Sequence, residues 1–89
     1  MAAWRVEFDR AAARDLRKLG SKAENLIVHY LRDRISDSDE PRRFGHALTG
    51  DRKGLWRYRV GDYRIVASIE DDHFIVLVVT IGHRREIYR

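Results

Sequence analysis

The sequence contains no cysteine and only one proline among its 89 residues. Without cysteine the chain can form no disulfide, no thiolate nucleophile and no zinc site of the cysteine type. No apolar run approaches the roughly 18 residues that a membrane-spanning helix needs, and residues 1–10 lack the apolar core of a signal peptide. We therefore predict a cytoplasmic protein with no membrane partner.

Most motifs of familiar enzyme chemistry are also missing. There is no glycine-rich phosphate loop, the four histidines have no metal-ligand spacing, and no serine has neighbours that suggest a catalytic triad. We predict no cofactor and no bound metal. If the protein is an enzyme, its chemistry must run on arginine, histidine and tyrosine, which favours a reaction at phosphate, where cations stabilise the transition state.

Positive charge is abundant and unevenly placed. The chain has 18 Lys and Arg against 14 Asp and Glu, a net charge of +4. The basic residues of the second half fall into a central group, Arg52, Lys53, Arg57, Arg59 and Arg64, and a C-terminal group, His83, Arg84, Arg85 and Arg89. This distribution predicts an anionic partner, either nucleic acid or an acidic protein.

Hydrophobic periodicity predicts the secondary structure. Residues 3–8 alternate as a strand does, and a helix follows, capped by Asp9 and ended at Gly20. Ser21 and Glu24 resemble a capping box for a second amphipathic helix of about four turns that ends near Ile35. Residues 42–53 show no clear period and are predicted to be a loop.

Three further strands are predicted, over residues 55–60, 63–69 and 74–81. The last has apolar residues at both odd and even positions, which is typical of a central strand covered on both faces. The element order is β-α-α-β-β-β. We predict one α+β domain over residues 1–89, with a mostly antiparallel twisted sheet and an N-terminal helical hairpin packed on one face.

The stretch GLWRYRVGDYRIV, residues 54–66, predicts a hairpin with a working face. Glycine followed by aspartate at 61–62 is the signature of a two-residue type II′ turn, which pairs Arg59 with Arg64. Alternation then places the apolar residues on the face toward the helices and Arg57, Arg59 and Arg64 on the other. Like charges opposite one another are unfavourable by up to about 1 kcal/mol. A solvated face is one interpretation, but the planar arginine fork matches phosphate or a partner's carboxylates.

The C-terminal stretch GHRREIYR offers a second basic element next to that hairpin. Histidine titrates near neutral pH, so His83 is a candidate for proton transfer. Tyr88 supplies a ring on which a base can stack, and Arg84 and Arg85 add charge. Together with the arginines of the hairpin, these residues predict a site that holds a nucleotide.

The sequence WRYRVGDYRIV followed by VVTIGHRREIY resembles the RelE branch of the RelE/ParE toxin superfamily, and the similarity covers essentially the whole chain. The resemblance implies the toxin of a bacterial type II toxin–antitoxin pair. Such a toxin acts in stress responses as an mRNA interferase, a metal-independent endoribonuclease that enters the ribosomal A site, cuts mRNA there and inhibits translation. It implies as partners the ribosome, mRNA and an acidic RelB-like antitoxin, with operator DNA bound only through the antitoxin.

The resemblance also assigns roles to residues. The basic residues of the family's second strand match Arg57 and Arg59, and the arginine that opens the third strand matches Arg64. The later arginine and the near-terminal tyrosine match Arg84 and Tyr88. The family's best-known pattern has lysines at positions 57 and 59, and arginine, unlike lysine, keeps its proton.

We therefore expect the arginines to hold the phosphate and His83 to act as base or acid. The remaining basic residues are expected to contact RNA: Arg52, Lys53, Arg85 and Arg89. Two alternatives stay open. One is a ParE-like inhibitor of DNA gyrase without nuclease activity, and the other is a non-catalytic homologue that only binds an antitoxin.

Overall fold

A computed structural model describes residues 4–83, which form two helices and a sheet of five strands. The strands are β1 (Arg5–Phe8), β2 (His46–Ala47), β3 (Leu55–Val60), β4 (Tyr63–Glu70) and β5 (Ile75–His83). The α-helices are α1 (Arg10–Lys18) and α2 (Ser21–Tyr30). Short 3₁₀ turns lie at Pro41–Phe44, Gly50–Arg52 and Asp71–His73.

The sheet has the strand order β1-β5-β4-β3-β2. Only β1 runs parallel to its neighbour, and the other pairings are antiparallel. The predicted α+β class is confirmed, and β5 is an internal strand as predicted, although β4 is the middle strand of the five. The prediction of a loop over residues 42–53 is wrong in part, because His46 and Ala47 pair with β3 as a fifth strand. A strand of two residues is too short to show alternation in the sequence.

The first helix begins and ends as predicted. The Asp9 side chain accepts a hydrogen bond from the Ala12 amide at 2.8 Å, and Gly20 follows the helix with φ of 94°. The capping box predicted for the second helix is wrong. Gly20 itself is the N-cap, so Ser21 already lies inside the helix and makes no side-chain cap bond. No helix within residues 4–83 is long and apolar enough to cross a membrane.

The second helix also departs from the prediction at its C-terminal end. Instead of continuing as an α-helix to Ile35, it widens into a π-helix over Leu31–Ser36. Ser36 is tied to Trp4 by two bonds, from the Ser36 hydroxyl to the Trp4 carbonyl at 2.8 Å and from the Trp4 amide to the Ser36 carbonyl at 3.3 Å. Leu31 and Ile35 stay buried, so tertiary contacts at this end outweigh the regular α-helical pattern.

The core lies between the helices and one face of the sheet, which we call the helix face. Ile27 and Ile35 from the helical side meet Ile65, Tyr58 and their neighbours on the strands, all fully buried. This is the apolar half of the hairpin that alternation predicted. The Tyr58 hydroxyl donates to the Pro41 carbonyl at 2.8 Å, and burial raises the pKa of this phenol. The other side of the sheet carries the candidate site.

Candidate phosphate-binding face

The hairpin of β3 and β4 has the predicted register. Val60 pairs with Tyr63 across Gly61 and Asp62, Arg59 pairs with Arg64, and Arg57 pairs with Val66. Gly61 has φ of 59°, as the first central residue of a type II′ turn requires. Arg57, Arg59 and Arg64 therefore lie together on the side of the sheet away from the core, which we call the arginine face.

The three arginines differ in burial. Arg59 is exposed, Arg57 is half-buried and Arg64 is only 7% exposed. The Arg64 Nη1 donates to the carbonyl oxygens of Gly61 at 3.3 Å and Tyr63 at 3.2 Å. Arg64 thus braces the hairpin turn from the arginine face. The position opposite it on β5 is Gly82, where no side chain adds bulk.

The described acidic strand residues of the arginine face lie away from the hairpin turn. Glu7 and Glu70 lie on the same side of the sheet but at its other end, since Glu7 pairs with Leu77 and Leu77 pairs with Ser68. Glu70 is about 20 Å from Arg64 along β4 at 3.3 Å a residue. Glu7 and Glu70 are therefore remote from the hairpin turn.

His83 lies on the helix face rather than with the arginines. It pairs with Tyr63, and the two rings meet edge to face with centroids 6.0 Å apart. The cause is a bulge between Val66 and Ala67 in the pairing with β5, where the partners change from Thr80 to Val78. The extra residue, Val79, reverses which side the rest of β5 presents. Without Val79, strict alternation along β5 would place His83 on the arginine face together with Arg64.

The other predicted site residues are spread more widely. Arg52 and Lys53 are exposed and precede β3, at the end of the strand away from the hairpin turn. Lys53 is at most about 14 Å from Arg57 along an extended chain. Arg84, Arg85, Tyr88 and Arg89 lie outside the described residues. Within residues 4–83, no three histidine or acidic side chains come together in a way that could hold a metal ion.

One residue on the arginine face was not predicted from the sequence. His46, in β2, is the pairing partner of Arg57, and directly opposed residues of an antiparallel pair share a face. Its side chain is exposed. No local pattern in the sequence could have found it, because the contact joins residues 46 and 57 through a pairing of only two residues.

Close packing brings β2 to this position. A Cβ atom on Gly45 would lie 3.0 Å from the Arg57 carbonyl oxygen and 3.0 Å from a ring carbon of Tyr58. A side chain at this position would force Arg57 or Tyr58 to give by a few tenths of an ångström. The next residue is His46, so the absence of a side chain at position 45 helps to set its place beside Arg57.

Comparison with known proteins agrees with the architecture. Residues 6–88 match the family described as the ParE toxin of the type II toxin–antitoxin system parDE. This chain belongs to that family of toxins. It is 34% identical over 84 residues to Toxin RelG of Mycobacterium tuberculosis, covering 94% of each chain. It is 35% identical over 86 residues to Toxin RelE of the same organism, covering 97% of this chain and 87% of that protein.

A solved structure shows the same fold. The toxin–antitoxin complex RelBE2 from M. tuberculosis contains a chain with a TM-score of 0.84 and 32% identity to this toxin, with 94% of each chain covered. The resemblance to the RelE branch of the RelE/ParE superfamily is thus confirmed. The family name and the names of the relatives point to different branches, so the target of the toxin must be argued from its site.

An ion pair fastens the segment before β2 to the sheet of the toxin. The Arg42 Nη1 donates to Asp71 at 3.0 Å, its Nη2 bonds the second carboxylate oxygen, and the guanidinium lies 5.7 Å from the centre of the Trp56 ring. Glu40 also accepts a bond from Arg42 Nη1 at 3.3 Å. Residues 40–44 are therefore linked both to the 3₁₀ turn before β5 and to β3.

This ion pair predicts a difference in stability that depends on pH. The hydrogen bonds from Arg42 hold the pKa of Asp71 below its usual value. A carboxylate with a lowered pKa in the folded state stabilises it above the ordinary value of about 3.9, and this contribution is lost as pH falls through the folded pKa. Asp71→Asn should therefore lower the thermal midpoint at pH 7, and the difference should shrink as pH falls below the ordinary aspartate pKa.

The matched control is Asp72→Asn, the same change at the adjacent exposed position. Midpoints of the toxin and both variants would be measured by circular dichroism at pH 7 and pH 2.5. A gap between the toxin and Asp71→Asn that is as large at pH 2.5 as at pH 7 would contradict an ionic origin.

Proposed function

We propose that this toxin is a ribosome-dependent mRNA interferase, an endoribonuclease that cuts mRNA in the A site and stops translation. The observation that carries the proposal is the gathering of Arg57, Arg59 and Arg64 on one face of the hairpin. Three guanidinium groups within two neighbouring strands suit a phosphodiester, which presents several anionic oxygens at once. The resemblance to RelE-type toxins supports this choice over gyrase inhibition.

The reaction that fits such a site is transfer of the phosphodiester to the mRNA's own 2′-oxygen. The 2′-oxygen attacks the adjacent phosphorus, the bond from phosphorus to the 5′-oxygen breaks, and the products are a 2′,3′-cyclic phosphate and a free 5′-OH. Arg57 and Arg59 would bind the non-bridging oxygens, where negative charge builds up. Each such donor is worth about 2.7–4 kcal/mol of barrier. Arg64, which is hydrogen-bonded to the turn, would hold the hairpin in place and add a third positive charge near the phosphate.

The remaining predicted residues take supporting roles in this proposal. Arg84 would lie near the leaving oxygen and Tyr88 would stack on or orient a base. The outer basic residues would bind the RNA backbone: Arg52, Lys53, Arg85 and Arg89. His83 is a weaker candidate for proton transfer than its sequence position predicted, because β5 presents it beside Tyr63 on the helix face.

The proposal includes an acidic antitoxin of the RelB type. The RelBE2 structure is a toxin–antitoxin complex, and a cationic face is complementary to a partner rich in carboxylates. Operator DNA would be bound only through that antitoxin. Action on ribosomes places the toxin in the cytoplasm during a bacterial stress response.

The test is cleavage by purified toxin on bacterial ribosomes programmed with a defined codon in the A site. Primer extension locates the cut, and direct phosphorylation by polynucleotide kinase without prior phosphatase treatment identifies the 5′-OH. We expect a cut within the A-site codon and no cut in the same mRNA without ribosomes. A parallel assay measures supercoiling by DNA gyrase. Intact mRNA together with inhibited gyrase would establish the ParE-like alternative, and no effect in either assay would leave a protein that only binds its antitoxin.

A further inference from the structure

Within residues 4–83, the arginines that we expect to bind the phosphate include no proton acceptor. Arginine keeps its proton at any pH that a protein survives, so Arg57, Arg59 and Arg64 cannot take one from a 2′-OH. Glu7 and Glu70 lie at the other end of the face, and Glu70 is about 20 Å from Arg64. His83 is on the helix face. Among the described residues, the acceptor of this proton is therefore another side chain.

His46 is the histidine that the described part of the arginine face contains. Its Cα is the pairing partner of the Arg57 Cα, which puts the two at the separation of about 4.5–5.5 Å found between opposed residues of antiparallel strands. The side chain is exposed, so an RNA held by Arg57 and Arg59 can reach it. Imidazole exchanges protons near neutral pH more readily than any other side chain.

The surroundings of His46 hold it in place. The Leu48 amide donates to the Leu55 carbonyl at 2.9 Å beyond the strand, and Gly45 fits against the Arg57 carbonyl before it. The Tyr58 hydroxyl bonds Pro41 further upstream. These contacts restrain the backbone on both sides of His46. A proton acceptor needs such restraint, because its distance to the substrate must be fixed.

We propose that His46 accepts the proton of the attacking 2′-OH. The neutral imidazole takes this proton as the bond from the 2′-oxygen to phosphorus forms. The bond from phosphorus to the 5′-oxygen breaks, the 5′-oxygen takes a proton from water, and His46 returns its proton to solvent. This assignment rests on the proposed function as an mRNA interferase, and it gives the acceptor role to β2 rather than to the end of β5.

The experiment compares single-turnover cleavage on programmed ribosomes by the toxin, His46→Ala and His73→Ala. His73 is the matched control, because it is also exposed but lies in the 3₁₀ turn at the far end of β4. A general base contributes about 100- to 10,000-fold. We therefore expect His46→Ala to cut at least about 100-fold more slowly, with unchanged affinity for ribosomes, and His73→Ala to match the toxin.

Two further measurements separate proton transfer from a structural role. Imidazole added to the buffer should restore part of the rate to His46→Ala, whereas His46→Gln, which fills the space, should stay slow. A substrate with sulfur in place of the leaving 5′-oxygen needs no proton on its leaving group. It should remain slow with His46→Ala, since the missing step is removal of a proton.

The outcomes distinguish this inference from the function on which it rests. A toxin that does not cut mRNA on ribosomes overturns both. If the toxin cuts and His46→Ala cuts equally fast, only the inference fails. It also fails if the variant is slow but imidazole does not restore it, or if the sulfur substrate restores it.

Discussion

Replacement of Arg59 by alanine is expected to slow mRNA cleavage on ribosomes by about 100- to 1,000-fold while leaving the fold intact. Arg59 is exposed and lies opposite Arg64, so its removal opens no cavity in the core. Its guanidinium would bind a phosphate oxygen whose charge increases in the transition state. The loss should therefore appear in the rate of the bound complex, measured at saturating toxin in single-turnover assays.

The design separates charge from geometry. Arg17→Ala removes the same charge from an exposed position in α1 and should cut at the rate of the unmodified toxin. Arg59→Lys keeps the charge but loses the planar pair of donors, so its rate should lie between the two. Thermal midpoints of all variants should agree with one another. Equal cleavage by Arg59→Ala and Arg17→Ala would exclude Arg59 from phosphate binding.

The hairpin could be predicted from sequence because its determinants are local. A glycine at the first turn position fixes a two-residue loop, and strict alternation then settles the register of every pair from Val60 and Tyr63 to Arg57 and Val66. The same holds for the first helix, where Asp9 and Gly20 mark both ends. Each of these features is set by a short local signal, either a turn residue or a cap residue, together with simple alternation.

The features that escaped prediction depend on contacts between distant segments. The bulge at Val66 and Ala67 inserts one residue into β5 and so turns His83 to the helix face, which alternation along β5 alone cannot reveal. The pairing of His46 with Arg57 requires the chain from Pro41 onward to fold back against β3. The candidate phosphate grip was thus visible in the sequence, whereas the candidate proton acceptor on the same face was not.

Tyr58 connects the core to this site, and its truncation should be the most destabilising change in the hairpin. Tyr58 stands between Arg57 and Arg59 in the sequence, but its side chain points to the opposite face of the sheet. There it is fully buried. Truncating a large buried aromatic residue to alanine costs about 3–5 kcal/mol through lost burial and the remaining cavity. We expect Tyr58→Ala to lower the free energy of unfolding by this amount in urea titrations of the isolated toxin.

Tyr58→Phe divides that loss into its two parts. It keeps the ring and removes only the hydroxyl that donates to the Pro41 carbonyl, at an expected cost of about 1–3 kcal/mol because the carbonyl loses its partner in a buried setting. The ring still supports β3, but the segment that carries Gly45 and His46 loses one of its anchors. Tyr58→Phe should therefore cut more slowly than the toxin and Arg17→Ala, under conditions where Tyr58→Phe remains fully folded. A folded Tyr58→Phe that cuts as fast as the toxin would show that Pro41 needs no bond to Tyr58 for β2 to keep its place.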